Sequence, residues 1–88
     1  MRIHRKHSLG FEEAKPRVEL VAAEVGPKWN LQSRWDGDQM QVQGSGIKAR
    51  ISVMPDSIEV HVHTGLAMMM LREVIRREIE NSIDDHIA

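Results

Sequence analysis

The strongest constraint on this chain lies between Lys28 and His63, KWNLQSRWDGDQMQVQGSGIKARISVMPDSIEVHVH, where apolar residues fall on alternate positions through four short runs. They are Trp29, Leu31 and Trp35; Met40 and Val42; Ile47, Ala49, Ile51 and Val53; and Ile58, Val60 and Val62. Polar or charged residues fill most positions between them, which is the pattern of a sheet with one dry and one wet face. The turns test this reading independently, because a connection one residue too long would turn the next strand inside out. Asp36-Gly37-Asp38 tolerates positive φ, and any even-length loop there keeps Leu31 on the face of Val42 or Gly44. A two-residue Ser45-Gly46 turn sets Val42 against Ala49 and Met40 against Ile51. Pro55-Asp56 suits the centre of a type I turn and sets Val53 against Ile58 and Ile51 against Val60. One apolar face survives three reversals.

The flanks supply what covers that face. Residues 2–7 read as a short edge strand with Ile3 as its apolar anchor, pairing with residues 57–63, and its basic side chains discourage edge-to-edge association. Phe11, Ala14, Val18, Val21, Ala22 and Val25 then form a helical stripe, with Ser8 as N-cap and Gly26-Pro27 as the stop. Pro16 interrupts the stripe and implies a kink, since Phe11 and Ala14 continue the pattern before it. A second helix is expected from Leu66 onward, capped by Thr64, with Leu71, Val74, Ile75, Ile79, Ile83 and Ile87 on one stripe and Glu73 paired to Arg77.

Two apolar stripes and one apolar sheet face complete each other. The expected fold is α+β and two-layer, an antiparallel sheet with two helices packed on one face in the order β-α-β-β-β-β-α, a single domain over residues 1–88. At this length the chain buries about two-thirds of its unfolded surface, so stability of about 4 to 13 kcal/mol is expected. With no cysteine, neither a disulfide nor a thiolate metal site supports it. The basic start, MRIHRKHSLG, lacks the apolar core of a signal peptide, and the longest apolar run, Leu66 to Leu71, is too short for a membrane span. A cytoplasmic protein is the expectation.

These placed residues resemble the polyhydroxyalkanoic acid system, or granule-region, family of bacterial proteins. The likeness lies in His7-Ser8-Leu9-Gly10 followed by Ala14, in Gly44 to Val53 (GSGIKARISV), in the strand Ile58 to Val62 and in the closing apolar helix, and it covers nearly the whole chain. The resemblance implies a role in storage-polyester synthesis, degradation or granule organisation, at polyhydroxyalkanoate granules. It implies no reaction, because the family's motifs define a fold rather than a chemistry. The fold is also similar to a reduced helix-grip domain, whose sheet grips the terminal helix.

Several residues invite a chemical reading. His61 and His63 leave the same face of one strand, and His4 joins them if the first strand lies alongside, which suggests zinc. No third or acidic ligand is fixed by spacing, so solvent-facing strand residues are the plainer reading and no metal or other cofactor is expected. Ser45 between two glycines resembles a nucleophile motif only superficially, because it sits in a hairpin turn. No phosphate loop or metalloprotease signature is present, so an enzyme is not expected. Lys48 and Arg50 lack aromatic neighbours, which argues against nucleic acid. The candidate interaction residues are Met68, Met69 and Met70, of which at least one must be exposed because three consecutive residues cannot face one core, and Trp35, which beside its turn would extend an apolar patch with Met40.

Three functional readings follow. The first is a non-enzymatic accessory protein of polyester metabolism that contacts granule proteins or the granule surface. The second is a small module binding an apolar ligand or metal between sheet and helix. The third is a homodimer sealed by its exposed apolar residues.

Overall fold

A computed structural model describes residues 1–87. The chain forms β1 (Arg2–Lys6), α1 (Gly10–Val25), a 3-10 turn (Gly26–Trp29), β2 (Gln32–Asp36), β3 (Gln39–Gly44), β4 (Ile47–Val53), β5 (Ser57–Thr64), a 3-10 segment (Leu66–Leu71) and α2 (Arg72–His86). The five strands make one antiparallel sheet in the order β1-β5-β4-β3-β2, with both helices on one face. This is the two-layer α+β arrangement that the alternation predicts.

Register follows the turn chemistry. Gly44 lies opposite Ile47, so Ser45 and Gly46 are the whole turn, both with positive φ (51° and 77°), which matches the twist of the strands they join. Val42 therefore faces Ala49, and Met40 faces Ile51. Asp36 opposite Gln39 leaves Gly37 and Asp38 as an even, two-residue turn. At Pro55-Asp56 the Met54 N–H donates to the Ser57 carbonyl at 2.9 Å, and Val53 meets Ile58. β1 pairs with β5 from Arg2 opposite His61 to Lys6 opposite Ser57, as expected. The core comprises Ile3, Ala14, Val18, Val21 and Val25, the inward residues of β3, β4 and β5, and Ile75, Ile83 and Ile87.

Four local expectations are corrected. The strand expected from residue 28 begins only at Gln32. Trp29 closes a 3-10 turn instead, and Asn30 follows in the left-handed region (φ 56°), so the chain must reverse before a ladder can start. Ser8 does not cap α1. The helix follows Leu9 with no side-chain cap; ahead of it the Leu9 N–H donates to His7 Nδ1 at 3.2 Å. Thr64 ends β5 rather than capping a helix, because the chain first passes through Gly65 into a tight 3-10 segment. Lastly, Glu73 and Arg77 do not form an ion pair among the described residues, whereas Arg76 and Glu80 do, at 3.0 Å. Pro16 lies within α1 on its exposed side and does not start it.

Side chains tie the layers together at their rims. Arg5 of β1 reaches α2, with Nη2 donating to Glu80 at 2.9 Å and Nε to Asp84 at 3.4 Å. Arg17 of α1 donates to the His86 carbonyl at 2.9 Å, satisfying one of the acceptors that a helix end leaves open. Trp29 Nε1 donates to Glu78 at 2.7 Å, which fixes the 3-10 turn against α2.

A candidate surface site

The 3-10 segment Leu66–Leu71 contributes no buried residue, although it is apolar throughout. Met68 is half-buried against the Ser45-Gly46 turn, but Leu66 is 88% exposed and Met70 94% exposed, with Met69 and Leu71 also open. Val74, in the first turn of α2, continues the patch. Its neighbour Ile75 faces the core instead, because one residue on an α-helix turns the side chain by about 100°. Leu71 and Val74 were expected on the core stripe. Leu71 ends a segment wound with three residues per turn, so the α-helical spacing to Ile75 does not extend back to it.

The result is a run of exposed apolar side chains, Leu66, Met69, Met70, Leu71 and Val74, crowded into nine consecutive positions. Scattered exposed apolar residues are ordinary, but a contiguous group marks a contact surface. The sequence singled out Met68, Met69 and Met70 and missed Leu66, Leu71 and Val74. An apolar run of six has no helical period, and that excess over what one stripe can bury was the available signal.

Trp35 does not belong to this surface. It is half-buried against α1, its Nε1 donates to Glu19 at 3.2 Å, and the Lys15 ammonium lies 5.3 Å from its ring centroid. Met40, its expected partner in an exposed patch, is 2% exposed and belongs to the core. The register also separates the two places, since Trp35 lies opposite Met40 while the methionines adjoin the turn beyond Gly44.

The space enclosed between sheet and helices, lined by Val21, Val25, Trp29, Leu31, Ile75 and Ile79 among others, is about 50 Å³. A small-molecule site needs roughly 300 to 1,000 Å³, so the second reading finds no chamber here. His4, His61 and His63 do share the outward sheet face, with His4 opposite Glu59 and His61 opposite Arg2 and Arg50. Among the described residues no group of three or more His, Asp or Glu is placed to hold a metal ion.

The perturbed carboxylates serve cohesion. Glu80 is held below the ordinary carboxylate range chiefly by the hydrogen bond from Arg5, and Glu59 by that from Arg2. A lowered folded-state pKa means that the unfolded chain binds more protons over that interval, so stability rises with pH there. These groups therefore contribute fully above the ordinary carboxylate range and lose their contribution as pH falls through their lowered folded-state values. Arg5→Gln is expected to cost under about 1 kcal/mol at neutral pH and to flatten the acid limb of a plot of unfolding midpoint against pH. An acid limb as steep as the parent's would show that Glu80 is not tuned by Arg5.

No helix among the described residues is long and apolar enough to cross a membrane. No curated protein matches the chain. Residues 1–87 match the family described as "Putative polyhydroxyalkanoic acid system protein", the granule-region family whose opening, glycine hairpin and closing helix the sequence resembles. With that match running the length of the sheet and both helices, the chain belongs to the polyhydroxyalkanoic acid system family.

Proposed function

We propose that this protein is a non-enzymatic accessory component of polyhydroxyalkanoate metabolism that works by contact, docking on the storage-polyester granule in the cytoplasm through Leu66, Met69, Met70, Leu71 and Val74. Family membership supplies the setting, and the exposed apolar run supplies the means. A polyester surface offers methylene and methyl groups with weakly polar esters. Unbranched methionine side chains adapt to such an irregular surface better than stiff β-branched ones. Met68, half-buried beneath them, holds the segment to the Ser45-Gly46 turn.

Co-sedimentation of the purified protein with isolated polyhydroxybutyrate granules tests this reading. Burying one such side chain is worth about 1.5 to 3 kcal/mol, so Leu66→Glu with Met70→Glu is expected to weaken association at least about a hundredfold. Because both side chains face water, the thermal midpoint is expected to stay near the parent's. Unchanged partitioning of the double variant onto granules would refute the assignment. Light scattering separates it from a homodimer sealed by the same residues, for which mass would rise with concentration in the parent and not in the variant.

A further inference from the structure

The uncovered sheet face carries a charge pattern that neither the fold nor the granule contact uses. Pairing aligns Arg2, His61, Arg50, Gln41 and Arg34 in one row across all five strands. The next row toward the Ser45-Gly46 turn sets Lys48 beside His63, with Gln43 and Gln32 beyond. Neither row contains an acid. The two acids of this face, Asp36 and Glu59, both lie in the row with Gln39, Ser52 and His4.

With Lys6, opposite Ser57, five of the twelve Lys and Arg residues share this face with two of the thirteen Asp and Glu, on a chain whose net charge is −1. Glu59 is taken up by Arg2 and by His61 at 3.4 Å. Among the described residues no carboxylate comes within 4.0 Å of Lys6, Arg34, Lys48 or Arg50. Across the strands Arg2, Arg34, Lys48 and Arg50 face only histidine or glutamine, so no acid opposite them neutralises the face.

We infer that the open sheet face is a docking platform for an acidic polypeptide segment. The chemistry of the face selects that partner. It presents no Phe, Tyr or Trp ring, the broad platforms on which successive bases of a single strand stack. Its outward side chains are polar, so nothing there enters an acyl layer. An extended segment with Asp or Glu at alternate positions repeats its carboxylates every ~6.7 Å, the spacing at which Lys48 and Arg50 recur along β4. The four unpaired cations and the histidines then meet anions that the chain itself does not provide.

The test is a titration of the isotope-labelled protein with a Glu-Ser repeat peptide at low ionic strength, followed by amide chemical shifts. Shifts are expected in β3, β4 and β5, fading as salt is raised to about 0.5 M. Arg34→Glu with Arg50→Glu is expected to weaken binding at least tenfold. Arg72→Glu with Arg77→Glu, an equal change of charge on α2, is expected to leave it within about twofold. The sheet variant is also expected to unfold near the parent's temperature, since Arg34 and Arg50 are exposed and hold no ion pair among the described residues; Arg50→Gln serves if the double variant fails to fold. Absent binding, shifts confined to the helices, or equal losses in both double variants would overturn the inference. So would tighter binding of an oligothymidylate to the same strands, which would make the face a nucleic-acid platform.

Discussion

Replacing Gly44 with alanine is expected to lower the stability of the domain by about 2 to 5 kcal/mol, a large share of the whole for a chain of this size. Gly44 ends β3 with φ +152°, a conformation that L side chains rarely adopt. A Cβ there would collide with the Asn30 carbonyl oxygen and lie 3.2 Å from Leu31 Cα. Both obstacles are backbone, so no rotamer change relieves them. The close approach is the means by which the chain leaves its 3-10 turn and enters β2 over the end of the β3–β4 hairpin. Gly37 provides the comparison, because it also has positive φ (63°) but open space around it. Alanine there should cost only about 1 to 2 kcal/mol. Chemical denaturation of the two variants decides the matter, and a Gly44→Ala loss no greater than that of Gly37→Ala would show that the Asn30 contact is not rigid.

The second large effect is a contrast between neighbours. Ile75 is 1% exposed between the helices and the sheet, whereas Val74 is 42% exposed. Ile75→Ala is expected to cost about 2 to 5 kcal/mol, from lost burial and the cavity left behind, while Val74→Ala should change stability by no more than about 0.5 kcal/mol. Equal losses would mean that α2 is rotated from the orientation described. The same pair separates the core role of this helix from the proposed granule contact, since on that proposal only the Val74 variant should weaken granule association with the fold intact.

The sheet was legible because its signals are discrete. Side-chain parity has only two values, and the turns Gly37-Asp38, Ser45-Gly46 and Pro55-Asp56 each preserve it, so the inward set could be read without coordinates. The helices were legible at their centres, where Val18, Val21 and Val25 or Ile75, Ile79 and Ile83 recur at three or four residues. The ends were not. Whether Ser8 reaches the first turn of α1 depends on backbone angles that composition leaves undetermined, and here no side chain caps it. Trp29 and Leu31 fit a strand by parity, and nothing in their types reveals the left-handed Asn30 between them.

The candidate surface was half legible. An apolar run tells that something must be exposed without telling which residues, because that depends on whether the segment winds as α or 3-10. The open sheet face was legible as a set, since parity alone puts Arg34, Lys48, Arg50, His61 and His63 on it. Their alignment into rows across all five strands exists only once the whole register is known.

The segment from Leu66 to Leu71 places none of its side chains in the interior. Apart from half-buried Met68, the fold is therefore nearly indifferent to what occupies those positions, and a library randomised at the others should yield folded proteins at high frequency. Selection for folding alone would let that stretch drift toward polar composition, so a screen that recovers leucine and methionine only in the presence of a target would identify the target.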